Sequence, residues 1–139
     1  MTTVPVPGVT SLIGGGLLAQ RERLGLIASN MANADSVATP GSQPFRAMEP
    51  VFAAIPAAGR SGVSSVAVAG VVQSAAPPQM KYDPASPFAN PKGYVTESNV
   101  NPVEQMTDLI DASQSYQSDI SILDQNTKLS QTMIQSFVA

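Results

Sequence analysis

Residues 101–139 read NPVEQMTDLIDASQSYQSDISILDQNTKLSQTMIQSFVA. Asn101 stands where a helix N-cap belongs, Pro102 at the first helical position and Glu104 at the third. This is the arrangement of a capping box with Asn as the cap. From Val103 to the end there is neither Gly nor Pro. Met106, Leu109, Ser113, Tyr116, Ile120, Leu123, Thr127, Ser130, Ile134 and Phe137 alternate steps of three and four, the a/d spacing of a coiled-coil seam. At 1.5 Å per residue the predicted helix is roughly 55 Å long, more than a small domain needs. Ser113, Thr127 and Ser130 on the seam suit close contact with several neighbours better than one two-helix pairing.

The N-terminal segment SLIGGGLLAQRERLGLIASNMANA (11–34) carries the same signal. Ile13, Leu17, Gln20, Leu24, Ile27 and Met31 step by four and three, with Arg21, Glu22 and Arg23 between seam positions. Thr10 or Ser11 is the expected cap. Gly14–Gly16 oppose the first turns, because three helical glycines cost roughly 3 kcal/mol relative to alanine. The pattern alone leaves two readings open, a core-facing helix or an intermolecular seam.

Between the helices the chain changes character. FRAMEPVFAA (45–54), VSSVAVAGVVQ (63–73), MKYD (80–83) and GYVT (93–96) are candidate short strands. Turn-rich pieces separate them: TPGSQP, IPAAGRSG, SAAPPQ and DPASPFANPKG. The expected fold is mainly α with a small β insert. The N- and C-terminal helices are expected to pair in an antiparallel coiled-coil domain, with a short-stranded, loop-rich β region between them. The boundaries are 1–36 for the first helix, 37–100 for the Pro/Gly-rich insert and 101–139 for the last helix. Two helices cannot bury all their apolar surface against each other, so the remainder is expected to face other subunits.

Composition narrows the function. Seven Lys plus Arg against ten Asp plus Glu give a net charge of −3, which disfavours nucleic acid as a partner because phosphate binding needs clustered cations. Cys and His are absent, which removes thiolate sites, the commonest metal ligand and the usual general base. Asp83, Glu97 and Glu104 have no defined acid–base spacing. Asp108 and Asp111 lie three apart on a helix and lack a third ligand. Gly14–Gly16 have no strand before them and no Lys-Ser or Lys-Thr after them, unlike a phosphate loop. Ser113 and Ser115 have no activating partner. Lys81 and Tyr82, adjacent on a strand, point to opposite sides. The expectation is a protein that is not an enzyme, with no cofactor, no metal and no small-molecule substrate. No apolar run reaches the roughly 18 residues of a membrane span, so no direct membrane insertion is expected. No Lys or Arg precedes Arg21, unlike the basic start of a cleaved signal peptide.

Four stretches carry a resemblance. LLAQRERLGLIASNMANADS ends in an Ala-Ser-Asn-hydrophobic-Ala-Asn-Ala signature, and TPGSQPFRAMEPVF follows it. KYDPASPFANPKGYV is a central turn-rich piece, and NVNPVEQMTDLIDASQSYQSDISILDQNTKL contains Asn-Val-Asn-Pro-Val-Glu and Ala-Ser-x-x-Tyr-Gln. In this order they resemble the flagellar axial proteins, most closely the proximal rod subunits of the bacterial basal body. Gln114 departs from that pattern, standing where a basic residue is common. The resemblance implies a structural subunit that polymerises helically through its terminal helices around an export channel and transmits torque. It implies partners among its own copies and other rod proteins, including basal-body base and distal rod neighbours. It also implies a place in the periplasmic rod after type III export without a cleaved signal peptide. Another axial paralogue, or a secreted helical adaptor, is the alternative.

Within this reading ASNMANADS (28–36) is an assembly key: Ala28 and Ala32 admit close helices, and Asn30 and Asn33 bond across a subunit boundary. Asn33 and Ser36 also suit a helix stop. The expected assembly interface is Leu17, Leu24, Ile27, Ala28, Asn30, Met31 and Asn33 on the first helix. On the last it is Met106, Leu109, Ser113, Tyr116, Gln117, Ile120 and Leu123.

Overall fold

The computed structural model describes residues 7–56 and 63–138. Helix α1 (Pro7–Ala32) is followed by strands β1 (Met48–Pro56), β2 (Ser64–Gln73), β3 (Gln79–Tyr82) and β4 (Tyr94–Glu97), then helix α2 (Pro102–Val138). The fold is mainly helical with a small β part. The turn expected at 57–62 and the side chain of Phe137 lie outside the described residues.

Each helix begins on a proline, whose missing N–H costs nothing in the first turn. On α2 the expected cap forms: Asn101 Oδ1 accepts the Val103 N–H at 3.1 Å. Glu104 makes no return bond to the Asn101 backbone among the described residues, so the box is half-closed. Its carboxylate still sits in the first turn, where the helix dipole favours it. On α1 the expected cap is corrected. The helix starts at Pro7, and Ser11 lies inside it, donating to the Gly8 carbonyl at 3.0 Å. At its other end Asn33 Nδ2 donates to the Ser29 carbonyl (2.8 Å) and Ser36 Oγ to the Asn33 carbonyl (2.8 Å), satisfying last-turn acceptors.

The strands form two antiparallel hairpins. In β1–β2, Val51 lies opposite Gly70 and Phe52 opposite Val68, so Ala69 is the extra residue of a bulge. In β3–β4, Tyr82 lies opposite Tyr94, their rings edge to face with centroids 5.2 Å apart. Gly93 closes that hairpin at φ +82°, a conformation that favours glycine. A bridge between Val37 and Glu97 adds the chain leaving α1 to the free side of β4.

Three contacts run in opposed order along α1 and α2. Asn30 bonds Gln105, Arg23 pairs with Asp108, and Gly16 faces Asp119. The glycine run expected only to weaken α1 has a further role. A Cβ on Gly15 would collide with the Ser65 hydroxyl and stand 3.1 Å from the Val66 carbonyl, so Gly15 lets β2 lie on the helix. Among the described residues the buried apolar ones are Ala19, Ile27, Ala47, Val95, Val100 and Ala112, half of them alanine. So small a core leaves polar contacts with an unusual share of the positioning.

Candidate assembly interface

The best-defined polar cluster lies where the end of α1, the start of β1 and the start of α2 meet. Asn30, 2% exposed, accepts the Met48 N–H on Oδ1 (2.8 Å). Its Nδ2 donates to the Met48 carbonyl (2.9 Å) and to Gln105 Oε1 (2.9 Å). Nearby, Asn99 Oδ1 accepts the Ala47 N–H (2.7 Å), and its Nδ2 donates to the Ala76 carbonyl (2.8 Å). Buried Ser98 donates to the Ala34 carbonyl at 2.6 Å. Three short side chains thus take up backbone groups of β1 at Met48 and of the segments flanking α1 and the first hairpin, at Ala34, Ala47 and Ala76.

These bonds correct the expectation for Asn30. Both its amide hydrogens and its carbonyl oxygen are engaged within the chain, because its helical position brings it against the open edge of β1. Asn33 is likewise bonded inside its own helix end. Gln105, Ser98 and Asn99 were not expected as positioning residues. Their only sequence signal is polarity in SNVNPVEQ (98–105), where the chain crosses from β4 into the first turn of α2.

Beside the cluster lies an open groove of about 640 Å³, walled by Arg23, Met48, Phe52, Asn99 and Gln105. The Arg23–Asp108 pair, 3.3 Å apart, sits on its rim. Among the described residues no group of three or more carboxylates gathers as a metal site would need.

The expected interface residues fall into three sets. Ile27 and Asn30 are buried; Leu17, Leu24, Met31, Asn33, Leu109, Ser113, Tyr116 and Leu123 are half-buried; Ala28, Met106, Gln117 and Ile120 are exposed. The shielded stripe of α2 runs Gln105, Leu109, Ala112, Tyr116, Asp119, Leu123, Asn126 and Ser130. It is rotated by one residue at every second step from the expected seam. The reason is chemical: Gln105 and Asp108 have partners on α1, and Ala112 (0% exposed) is small enough for close approach. The rotation leaves Val103, Met106, Ile110 and Ile120 as an outward apolar stripe.

Long terminal helices thus flank a β insert, and an apolar stripe is left outside. The family described as "Flagellar basal body rod FlgEFG protein C-terminal" matches residues 92–136. The flagellar basal-body rod protein FlgC of Escherichia coli O6:H1 is 43% identical over 115 residues, covering 83% of this chain and 85% of the relative. FlgC of Salmonella typhimurium matches with the same identity and coverage. FlgC of Yersinia enterocolitica is 39% identical over 121 residues, covering 87% and 90%. The chain belongs to the FlgC family of flagellar basal-body rod proteins, whose role is structural rather than catalytic.

Proposed function

We propose that this chain is a structural subunit of the flagellar basal-body rod that polymerises helically through its two terminal helices. In the assembled state residues 1–36 and 101–139 form an antiparallel coiled-coil layer around the export channel, and residues 37–100 project as the β insert. The subunit reaches the periplasmic rod by the flagellar type III route, uncleaved, and there carries torque between its own copies and neighbouring rod proteins.

The carrying observation is the outward stripe of Val103, Met106, Ile110 and Ile120 along a helix of 37 residues. The accessible surface supports it: 9527 Å² for a 14.4 kDa chain, against roughly 6,800 Å² for a compact monomer of that mass. The excess is comparable to what several interfaces cover at about 800 Å² per partner. Met106, Gln117, Ile120 and Ala28 are then the subunit-facing residues of the expected interface. Leu17, Leu24, Ile27, Asn30, Met31, Asn33, Leu109, Ser113, Tyr116 and Leu123 act behind them by holding the helix pair.

A strain lacking the gene is expected to build no rod and to be non-motile, and the wild-type gene on a plasmid restores both. Ile120→Asp is expected to give a folded, exported subunit that fails to enter the rod, since a buried unpaired carboxylate costs several kcal/mol. A motile deletion strain counts against the rod assignment. Normal flagellation with Ile120→Asp counts against the stripe alone.

A further inference from the structure

Asn30 is placed where three elements meet, and its carboxamide treats Met48 as a neighbouring strand would, accepting its N–H and donating to its carbonyl. Met48 therefore fixes which end of the carboxamide is oxygen and which is nitrogen. The second Nδ2 hydrogen points to α2, where Gln105 must present an oxygen to take it, and does so at 2.9 Å. Among the described residues no Cα of α2 comes within 8 Å of one in β1 or β2. Asn30 of α1 is hydrogen-bonded both to Met48 of β1 and to Gln105 of α2.

We propose that Asn30 is a latch that makes the hold on the start of β1 conditional on the docking of α2 against α1. With α2 docked, the carboxamide is nearly sealed from water, so nothing competes for the Met48 peptide. With α2 away, water reaches the same bonds and their net contribution falls. The hairpin carries the exposed side chains Val51, Phe52, Ile55, Val71 and Val72. β2 rests on α1 through Gly15 in either case, and the latch adds a hold on the start of β1, and so on the angle of that apolar surface, when the terminal helices have paired. The coupling is a property of the free chain and is tested without rod assembly, so it stands or falls separately from the rod assignment.

The test is hydrogen–deuterium exchange on the full-length chain with Gln105→Leu and Gln105→Glu. In the wild type the Met48 amide exchanges slowly. Gln105→Leu removes the acceptor and strands a buried amide hydrogen, and exchange at Met48 is expected to quicken about tenfold or more. Gln105→Glu still presents an oxygen and keeps wild-type exchange there. Amides of β3 and β4, which the latch does not touch, are unchanged in both. Four results overturn the latch: free exchange of Met48 in the wild type, wild-type exchange at Met48 in Gln105→Leu, equal loss in both variants, or a loss in β3–β4 as large as at Met48.

Discussion

Two asparagines three residues apart, Asn30 and Asn33, have different tasks for a reason that spacing alone does not contain. Asn30 is turned toward β1 and Gln105, whereas Asn33 has passed the last helical turn and bonds back to Ser29. The glycines divide in the same way. Nothing lies within 4 Å of a Cβ built on Gly14, while on Gly15 it would collide with Ser65. Gly14→Ala is therefore expected to stabilise the folded chain by about 0.5–1 kcal/mol, the helix-propensity difference. Gly15→Ala is expected to destabilise it by roughly 1–3 kcal/mol, the usual cost of overpacking, since the Val66 carbonyl is backbone and cannot swing aside. Urea unfolding of both variants, read by far-ultraviolet circular dichroism, checks the opposite signs; a stabilising Gly15→Ala overturns the close approach of β2.

Among the elements, α2 shows how periodicity finds a stripe without saying what covers it. Leu109, Tyr116, Leu123 and Ser130 belong to both the expected seam and the shielded one. Between them the partner-facing positions are Gln105, Ala112, Asp119 and Asn126 instead of Met106, Ile120 and Thr127, with Ser113 half-buried beside Ala112. Polar residues sit on this seam as well: among the described residues, buried Gln20 Oε1 and Asn126 Nδ2 have no protein hydrogen-bond partner. The second hairpin is held differently. Lys81 Nζ lies 3.0 Å from a Glu97 carboxylate oxygen, and that hydrogen bond, then the Glu97 charge, hold the ammonium above its ordinary value of 10.5. A raised amine favours the folded state fully below 10.5 and loses that contribution as pH rises through its folded value. Titration of the Lys81 Nζ resonance is expected to show a midpoint above 10.5 that falls back toward it in Glu97→Gln. An unchanged midpoint in that variant overturns the pairing.

At the scale of the whole molecule, helix length and core size disagree, and shape follows. A compact chain of 139 residues has a radius of gyration of about 14 Å, yet α2 alone extends roughly 55 Å. Small-angle X-ray scattering of dilute chain is expected to give a value above 14 Å and well below the roughly 39 Å of an unfolded chain. Either limiting value contradicts a folded, elongated subunit. The sequence by itself determined the two helices, the β insert, the cap at Asn101 and the excess of apolar stripe over available core. These follow from local rules: residue spacing, proline and glycine placement, and the few large side chains the chain contains. Only the tertiary structure decided which side of α2 meets α1, why Gly15 is glycine, and that Asn30 is bonded inside its own subunit. Each of these depends on which groups come together across tens of residues of chain, as Gly15 does with Ser65, Asn30 with Gln105 and Arg23 with Asp108, and no local pattern encodes such a meeting.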